Sequence, residues 1–228
     1  GYDGYNEYDR NGHKTRIFSV NDKGLTKSRN YAIKHSEADV CLLCDDDEVF
    51  SRNYEEGILT AYRDLPEADV IIFNIGNRPA HWGDMPKKLG YLDLMHVASW
   101  QISFKRESIV NNNVYFDEHM GAGSGNGAEE EFRFLTDCRK NGLAIYYVPF
   151  VIADVAQTKS TWFKGYNEEF FINRGNTTRY IMGYVPAVLY AAYYSIRKRH
   201  QFDSDISWFK AFRLIMKGIH ENRLGKKK

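Results

Sequence analysis

The sequence predicts an α/β domain followed by a helical C-terminal region, on three observations. Short apolar runs bounded by turn residues alternate with segments of helical periodicity through residues 15 to 150. One of these runs, Val40-Cys41-Leu42-Leu43-Cys44, ends abruptly in Asp45, Asp46 and Asp47, as expected where a buried strand reaches solvent. From Trp208 to Leu224 apolar residues then recur at helical spacing among basic ones. A chain of 228 residues with 43% hydrophobic content is long and apolar enough for one substantial domain with such a tail.

Residues 1 to 14 are rich in Gly, Tyr and Asp without apolar periodicity, which predicts a loop or hairpin, and Arg16 to Val20 form a short strand. Gly24 introduces a helix with Leu25, Ala32 and Ile33 on one face. Val40 to Cys44 form a buried strand, Asn53 to Leu65 a helix stopped by Pro66, and Asp69 to Ile75 a second hydrophobic strand. A polar loop rich in Gly, Pro and His separates these from an alternating strand, Ser99 to Phe104, and a short helix, Arg106 to Val110. Gly121 to Gly127 carry four glycines in seven residues, a density that resists regular structure. Ala128 to Asn141 form a helix with Gly142 in the stop position, and Leu143 to Val148 another strand. No internal repeat is visible.

The composition excludes several classes of function. A formal net charge of +1 gives no overall electrostatic case for nucleic acid. Cys41 and Cys44 form a C-x-x-C, but within a strand residues three apart point to opposite faces, so with Cys138 they are read as small buried hydrophobes of a reducing cytoplasm. No signal peptide opens the chain. The longest uncharged stretch, Tyr180 to Ile196, falls short of the ~20 residues a spanning helix needs. A helix lying on a membrane remains open. The basic amphipathic pattern of Trp208 to Leu224 has two readings as well, a membrane-surface helix and an ordinary helix docked on the domain. The 16 Tyr, 14 Phe and 4 Trp mostly furnish a core, and suit a protein whose ligands are sugars with apolar ring faces.

The aspartate run carries the chemistry. In open α/β sheets ligands bind outside the carboxyl ends of the strands. Alternation along an extended chain puts Asp45 and Asp47 on one side and Asp46 on the other. Paired carboxylates repel unless a positive charge sits between them, and a hard divalent cation shared with a substrate diphosphate resolves that repulsion. The alternative is a solvated acidic turn.

Taken together, Gly24-Leu25-Thr26-Lys27-Ser28-Arg29-Asn30, the strand ending in Asp45-Asp46-Asp47, and the Gly-rich loop before Glu129-Glu130-Glu131-Phe132-Arg133-Phe134-Leu135 resemble a family 2 glycosyltransferase. Tyr146-Tyr147-Val148-Pro149 and Ser160-Thr161-Trp162-Phe163-Lys164-Gly165 match the pattern of its bacterial surface-polysaccharide members. The resemblance spans roughly residues 15 to 180 and implies an A-type glycosyltransferase fold, a Rossmann-like α/β domain, with residues 1 to 160 as catalytic core and 161 to 228 as a helical region in possible contact with a membrane. Members of the family normally begin with a strand, helix and strand that hold the nucleotide base, about fifty residues upstream of this start; either this sequence is a part of a longer chain or those elements are absent from it.

The implied activity is inverting transfer from a nucleotide-diphosphate sugar to a glycan or lipid-linked acceptor, assisted by Mn²⁺ or Mg²⁺, at the cytoplasmic face of a bacterial plasma membrane. The resemblance implies Asp47 and Asp45 as metal ligands, with Asp45, Asp46, Arg29 and Asn30 on the donor side. Glu131 is the implied base that takes the acceptor proton, with Glu130 as second candidate; the alternative is that these acids complement a helix dipole. Trp162 and His119 are the implied acceptor contacts. A non-catalytic nucleotide-sugar or glycan-binding subunit is the alternative function. A magnesium phosphohydrolase is disfavoured by the lack of an Asp-x-Asp-x-Thr strand.

Overall fold

The computed structural model describes residues 4–10, 12–78, 81–124, 129–156 and 165–227. It begins with an antiparallel hairpin, β1 (Gly4–Arg10) and β2 (His13–Ser19), which forms a sheet of its own. Phe18 ties the hairpin to helix α1 (Leu25–His35) through ring contacts with Tyr31 and His35. The buried face of α1 is Thr26, Asn30 and Ile33, whereas Ala32 is exposed. The expected Leu25–Ala32–Ile33 stripe is therefore displaced, because two polar side chains on this helix find buried backbone partners.

The main sheet runs β3-β7-β5-β8-β4, with β3 (Val40–Leu42), β4 (Glu48–Phe50), β5 (Val70–Ile75), β7 (Ile102–Lys105) and β8 (Ile145–Val155), and a two-residue β6 (Lys87–Lys88) on β8. Only β5 and β8 pair in parallel. Helix α2 (Tyr54–Asp64) ends at Leu65, before Pro66, and the short α3 (Arg106–Asn111) follows β7 directly. The strand expected over 40–44 differs in two respects. Its regular part stops at Leu42, and it is a half-buried outer strand paired on β7 alone rather than a strand covered on every side.

The centre of the sheet is β5, whose side chains alternate between two cores. Val70 and Ile72 face the core built on Phe104, Phe132, Phe134 and Leu135, and Ile71, Phe73 and Ile75 face the one built on α2 and Ile152. A strand buried on both faces reads as a continuous apolar run, which is why 70–75 was legible. Helix α4 (Glu130–Lys140) caps the first core, and Gly142 takes a left-handed φ of 82° just past its end.

Three helices complete the chain: α5 (Glu168–Met182), α6 (Tyr184–Arg197) and α7 (Trp208–Glu221). They pack around their own core of Phe171, Ala187, Ala191, Phe202, Ala211 and Ile215, while Ile181 and Leu224 join the first core of the sheet. Where α5 crosses α7, a Cβ at Gly175 would overlap the Ile215 carbonyl and one at Gly218 the Ile172 carbonyl. Only glycine allows the two backbones this close.

Candidate active site

The directions of the strands bring the carboxyl ends of β3, β5 and β8 and the amino ends of β4 and β7 to one edge of the sheet. The aspartate run lies there. After Leu42 the chain leaves the strand, and Asp46 and Asp47 form the turn into β4. The pleat thus does not extend through the three acids, yet the outcome is similar: Asp46 is exposed while Asp45 and Asp47 are half-buried. Ser99 Oγ donates to Asp45 Oδ2 at 3.1 Å, and the Asp45 N–H donates to Glu48 Oε1 at 2.7 Å. The Asp47 carbonyl accepts from Ala156 N at 2.8 Å, anchoring the turn to the end of β8.

Glu48 is a member of this cluster that motif reasoning passed over, although it directly follows the aspartates. Burial, with Asp45 and Asp47 nearby, pushes its carboxyl up to about 7, and its Oε2 is buried without a hydrogen-bond partner among the described residues. The donors offered here are all hard oxygens. Among the described residues no three His, Cys, Asp or Glu converge enough to hold a metal by themselves. That donor set fits Mg²⁺ or Mn²⁺ held by one or two carboxylates with the remaining positions left to phosphate oxygens and water.

Arg29 links this cluster to the second acidic group. Its guanidinium lies 3.5 Å from Asp45 Oδ1, 3.9 Å from Glu130 Oε1 and 2.9 Å from Glu131 Oε1, with the side chain only 9% exposed. Phe116 closes one side, its ring centroid 5.3 Å from the guanidinium carbon. The two acidic motifs, some 85 residues apart in the chain, thus share one buried cation.

Glu130 and Glu131 occupy the first turn of α4, where carboxylates complement the helix dipole. The position thus suits the dipole reading, and the contact with Arg29 sets the same acids beside Asp45. Burial, then the Glu131 carboxylate beside it, push the Glu130 carboxyl up to about 7. Gly121 packs against it: a Cβ there would lie 3.3 Å from the Glu130 carboxyl, and its φ of 88° is left-handed. The Gly-rich loop also meets the start of α1, with Leu25 N donating to Ala122 O at 3.0 Å and Thr26 Oγ1 to Met120 O at 3.1 Å.

Asn30, expected on the donor side, is engaged within the fold. It is 4% exposed, its Nδ2 donates to Phe116 O at 2.9 Å and its Oδ1 accepts from Phe116 N at 2.8 Å. With both ends of the amide engaged by one backbone residue, it clamps the Phe116 segment beneath Arg29. His119 is half-exposed beside Asp117, 3.1 Å from its Oδ1, two residues before the Gly-rich loop. Trp162, Gly125 to Gly127 and the Ser160 to Lys164 motif lie outside the described residues. The thiols carry no cluster: Cys138 is buried, Cys41 half-buried and Cys44 exposed, all three free.

Two other contributors had no signal in the sequence. Ser99 reaches Asp45 only because β7 pairs antiparallel on β3. Glu129, with a left-handed φ of 68° before α4, pairs at 3.1 Å with Arg174 of α5, whose Nη1 also donates to Tyr190 Oη of α6 at 2.7 Å.

The sequence model described as glycosyl transferase family 2 matches residues 4–130, more than half of the chain. A comparison with curated protein sequences gives no match. Among solved structures, TarS residues 1–349 from S. aureus in complex with UDP-GlcNAc superposes with a TM-score of 0.56 at 15% identity, covering 86% of this chain and 62% of that one. The same protein in complex with UDP gives a TM-score of 0.53 at 15% identity, covering 86% and 61%. The chain thus spans about three fifths of the length of TarS 1–349. At this identity the likeness establishes the fold, which is the A-type glycosyltransferase fold expected from the motifs.

Proposed function

The chain belongs to glycosyl transferase family 2, and we propose that it transfers a sugar from a nucleotide-diphosphate sugar to a glycan or lipid-linked acceptor with inversion, in the assembly of a cell-surface polysaccharide at the inner face of the plasma membrane. The observation that carries this reading is Arg29, whose one guanidinium holds both Asp45 and Glu131. An enzyme that breaks a bond to a diphosphate while deprotonating an acceptor needs its phosphate-side and base-side groups a few ångströms apart, and this bridge sets that spacing.

In the proposed reaction the acceptor hydroxyl oxygen attacks the anomeric carbon of the donor. The bond from that carbon to the diphosphate oxygen breaks, and its electron pair leaves with the nucleotide. One displacement of this kind inverts the configuration. Glu131 takes the proton of the attacking hydroxyl as general base, its carboxylate oriented by the 2.9 Å contact with Arg29. Asp47 and Asp45 would hold Mn²⁺ or Mg²⁺, which when bound would neutralise charge on the departing diphosphate. The exposed Asp46 is left on the donor side of the turn, and the half-exposed His119 on the acceptor side.

The nucleotides bound by TarS make UDP and UDP-sugars the first donors to try. The test is a thermal-shift panel of nucleotide diphosphates and their sugars with and without Mn²⁺, followed by detection of released nucleotide diphosphate in the presence of glycan acceptors. A Mn²⁺-dependent rise in melting temperature with turnover that is lost in Glu131→Gln supports the reading. Binding without turnover for any acceptor would instead make the chain a nucleotide-sugar-binding subunit, and full turnover in Glu131→Gln would remove the base assigned here.

A further inference from the structure

The helical region presents an apolar face that no part of the described chain covers. One side of α6 is buried in the bundle through Ala187, Ala191 and Tyr194. The opposite side carries Val185, Leu189, Tyr193 and Ile196, which are 66%, 67%, 52% and 53% exposed. Their spacing of four, four and three residues makes one continuous stripe along a helix. Isolated exposed apolar residues are ordinary, but a stripe running the length of a helix marks a contact surface.

The charge around the stripe identifies what it contacts. Helix α6 contains no Asp or Glu, and it runs directly into Arg197, Lys198, Arg199 and His200, of which Arg199 lies 4.0 Å from Asp203 at the exposed surface. At the other end the Arg179 guanidinium lies over the Tyr184 ring, 5.0 Å from its centroid. A second copy laid on this face would bring basic ends against basic ends. An anionic surface meets attraction at both. No described helix is long and apolar enough to cross a membrane, so the stripe would lie along a surface rather than span it.

The sequence pattern points instead to α7 as the basic amphipathic helix, but packing has used most of its apolar side, leaving Trp208 and Phe209 exposed at its start. Ala211, Ile215, Gly218 and Ile219 are buried against the other helices. Lys210 pairs with Glu168, and Lys217 and Arg223 with Glu221.

We propose that α6 is the membrane-seating element of this protein, lying in the headgroup region of an anionic lipid surface with Val185, Leu189, Tyr193 and Ile196 toward the acyl chains and Arg197 to Arg199 on the lipid phosphates. This deepens the membrane location proposed above and rests on it. It also gives the active site a fixed orientation to that surface, since Tyr190 on the same helix holds Arg174, the partner of Glu129 at the start of α4.

The test is cosedimentation of the full chain with vesicles of phosphatidylcholine alone and of phosphatidylcholine mixed with phosphatidylglycerol. Binding is expected to the anionic vesicles and to fall about tenfold for each of Leu189→Ser and Ile196→Ser. Arg197→Gln with Arg199→Gln should weaken binding to anionic vesicles and steepen its loss with salt. Circular dichroism and the UDP thermal shift of the same variants report folding and the nucleotide site separately, so loss of vesicle binding is read independently of the catalytic reading. Binding unchanged by the α6 substitutions, or lost only with Trp208→Ser and Phe209→Ser in α7, would overturn the proposal. So would a concentration-dependent dimer that Leu189→Ser converts to monomer, or no binding to either vesicle.

Discussion

Arg174 and Glu129 face each other at 3.1 Å across the junction between the C-terminal helices and the loop that precedes α4. The pair is largely enclosed, its side chains 21% and 20% exposed, but incompletely satisfied. Arg174 also lies over the rings of Phe170 and Tyr194, while its Nε and Glu129 Oε2 have no hydrogen-bond partner among the described residues. Glu129 holds a left-handed backbone that a residue with a Cβ seldom adopts, and the two residues after it are Glu130 and Glu131. The ion pair thus sets the entry of the acidic helix into the site.

Removing one partner leaves an uncompensated buried charge. Arg174→Met is expected to lower unfolding stability by about 3–5 kcal/mol. The double variant Arg174→Met with Glu129→Gln, which removes both charges, should recover much of that loss. Urea denaturation of the four members of the cycle measures the coupling; strictly additive losses would show that the pair does not act as one.

The helix crossing predicts a second loss. Gly175→Ala or Gly218→Ala forces a methyl group against a carbonyl of the facing helix, Ile215 or Ile172. Each should cost about 1–3 kcal/mol and loosen α7 from α5. Thermal unfolding checks this, with an exposed alanine substitution such as Lys217→Ala as a reference expected to stay within about 0.5 kcal/mol of the parent.

Stability should also depend on pH through Glu130. Its carboxyl, ordinarily titrating near 4.5, is raised to about 7 in the fold, with burial as the main cause and Glu131 next. The folded chain then binds this proton more tightly than the unfolded chain. The favourable contribution is fully present below the unfolded value and is lost as pH rises from about 4.5 to about 7. Glu48, likewise raised to about 7 chiefly by burial, acts in the same direction. Glu130→Gln should flatten the stability profile over this interval and exceed the parent at pH 8 by no more than about 3 kcal/mol. Denaturant midpoints measured across that range decide it.

For the proposed chemistry, Asp47→Ala should abolish Mn²⁺-dependent turnover while leaving the circular dichroism spectrum unchanged, since the anchor of this turn to β8 is the Asp47 backbone carbonyl. Asp46→Ala, at the exposed corner of the same turn, should reduce activity by less than about tenfold, or about 1.4 kcal/mol. Equal loss in the two would remove the distinction between them.

Much of the fold was legible because its signals are local. The two-sided burial of β5 produces an apolar run interrupted at Asn74, Pro66 follows the end of α2, and Gly142 follows α4 in the conformation that suits glycine. The outer position of β3 was not legible. An apolar segment reads the same whether one neighbour or two pair with it, and only the antiparallel arrival of β7 settles the matter. Asn30 likewise looks like any polar helix residue until Phe116 is brought beneath it.

By itself the sequence determined the α/β class, the family motifs and which acids gather at a strand end, because periodicity and short spacings reflect nearest-neighbour geometry. Tertiary structure alone decided that Arg29 joins Asp45 to Glu131, that Arg174 reaches Glu129, and that α6 keeps an apolar stripe open along its length while α7 keeps only Trp208 and Phe209 exposed at its start. These relationships join residues far apart in the chain. They follow from which surfaces pack together, and burial then turns an ordinary surface cation such as Arg29 into the shared centre of a site.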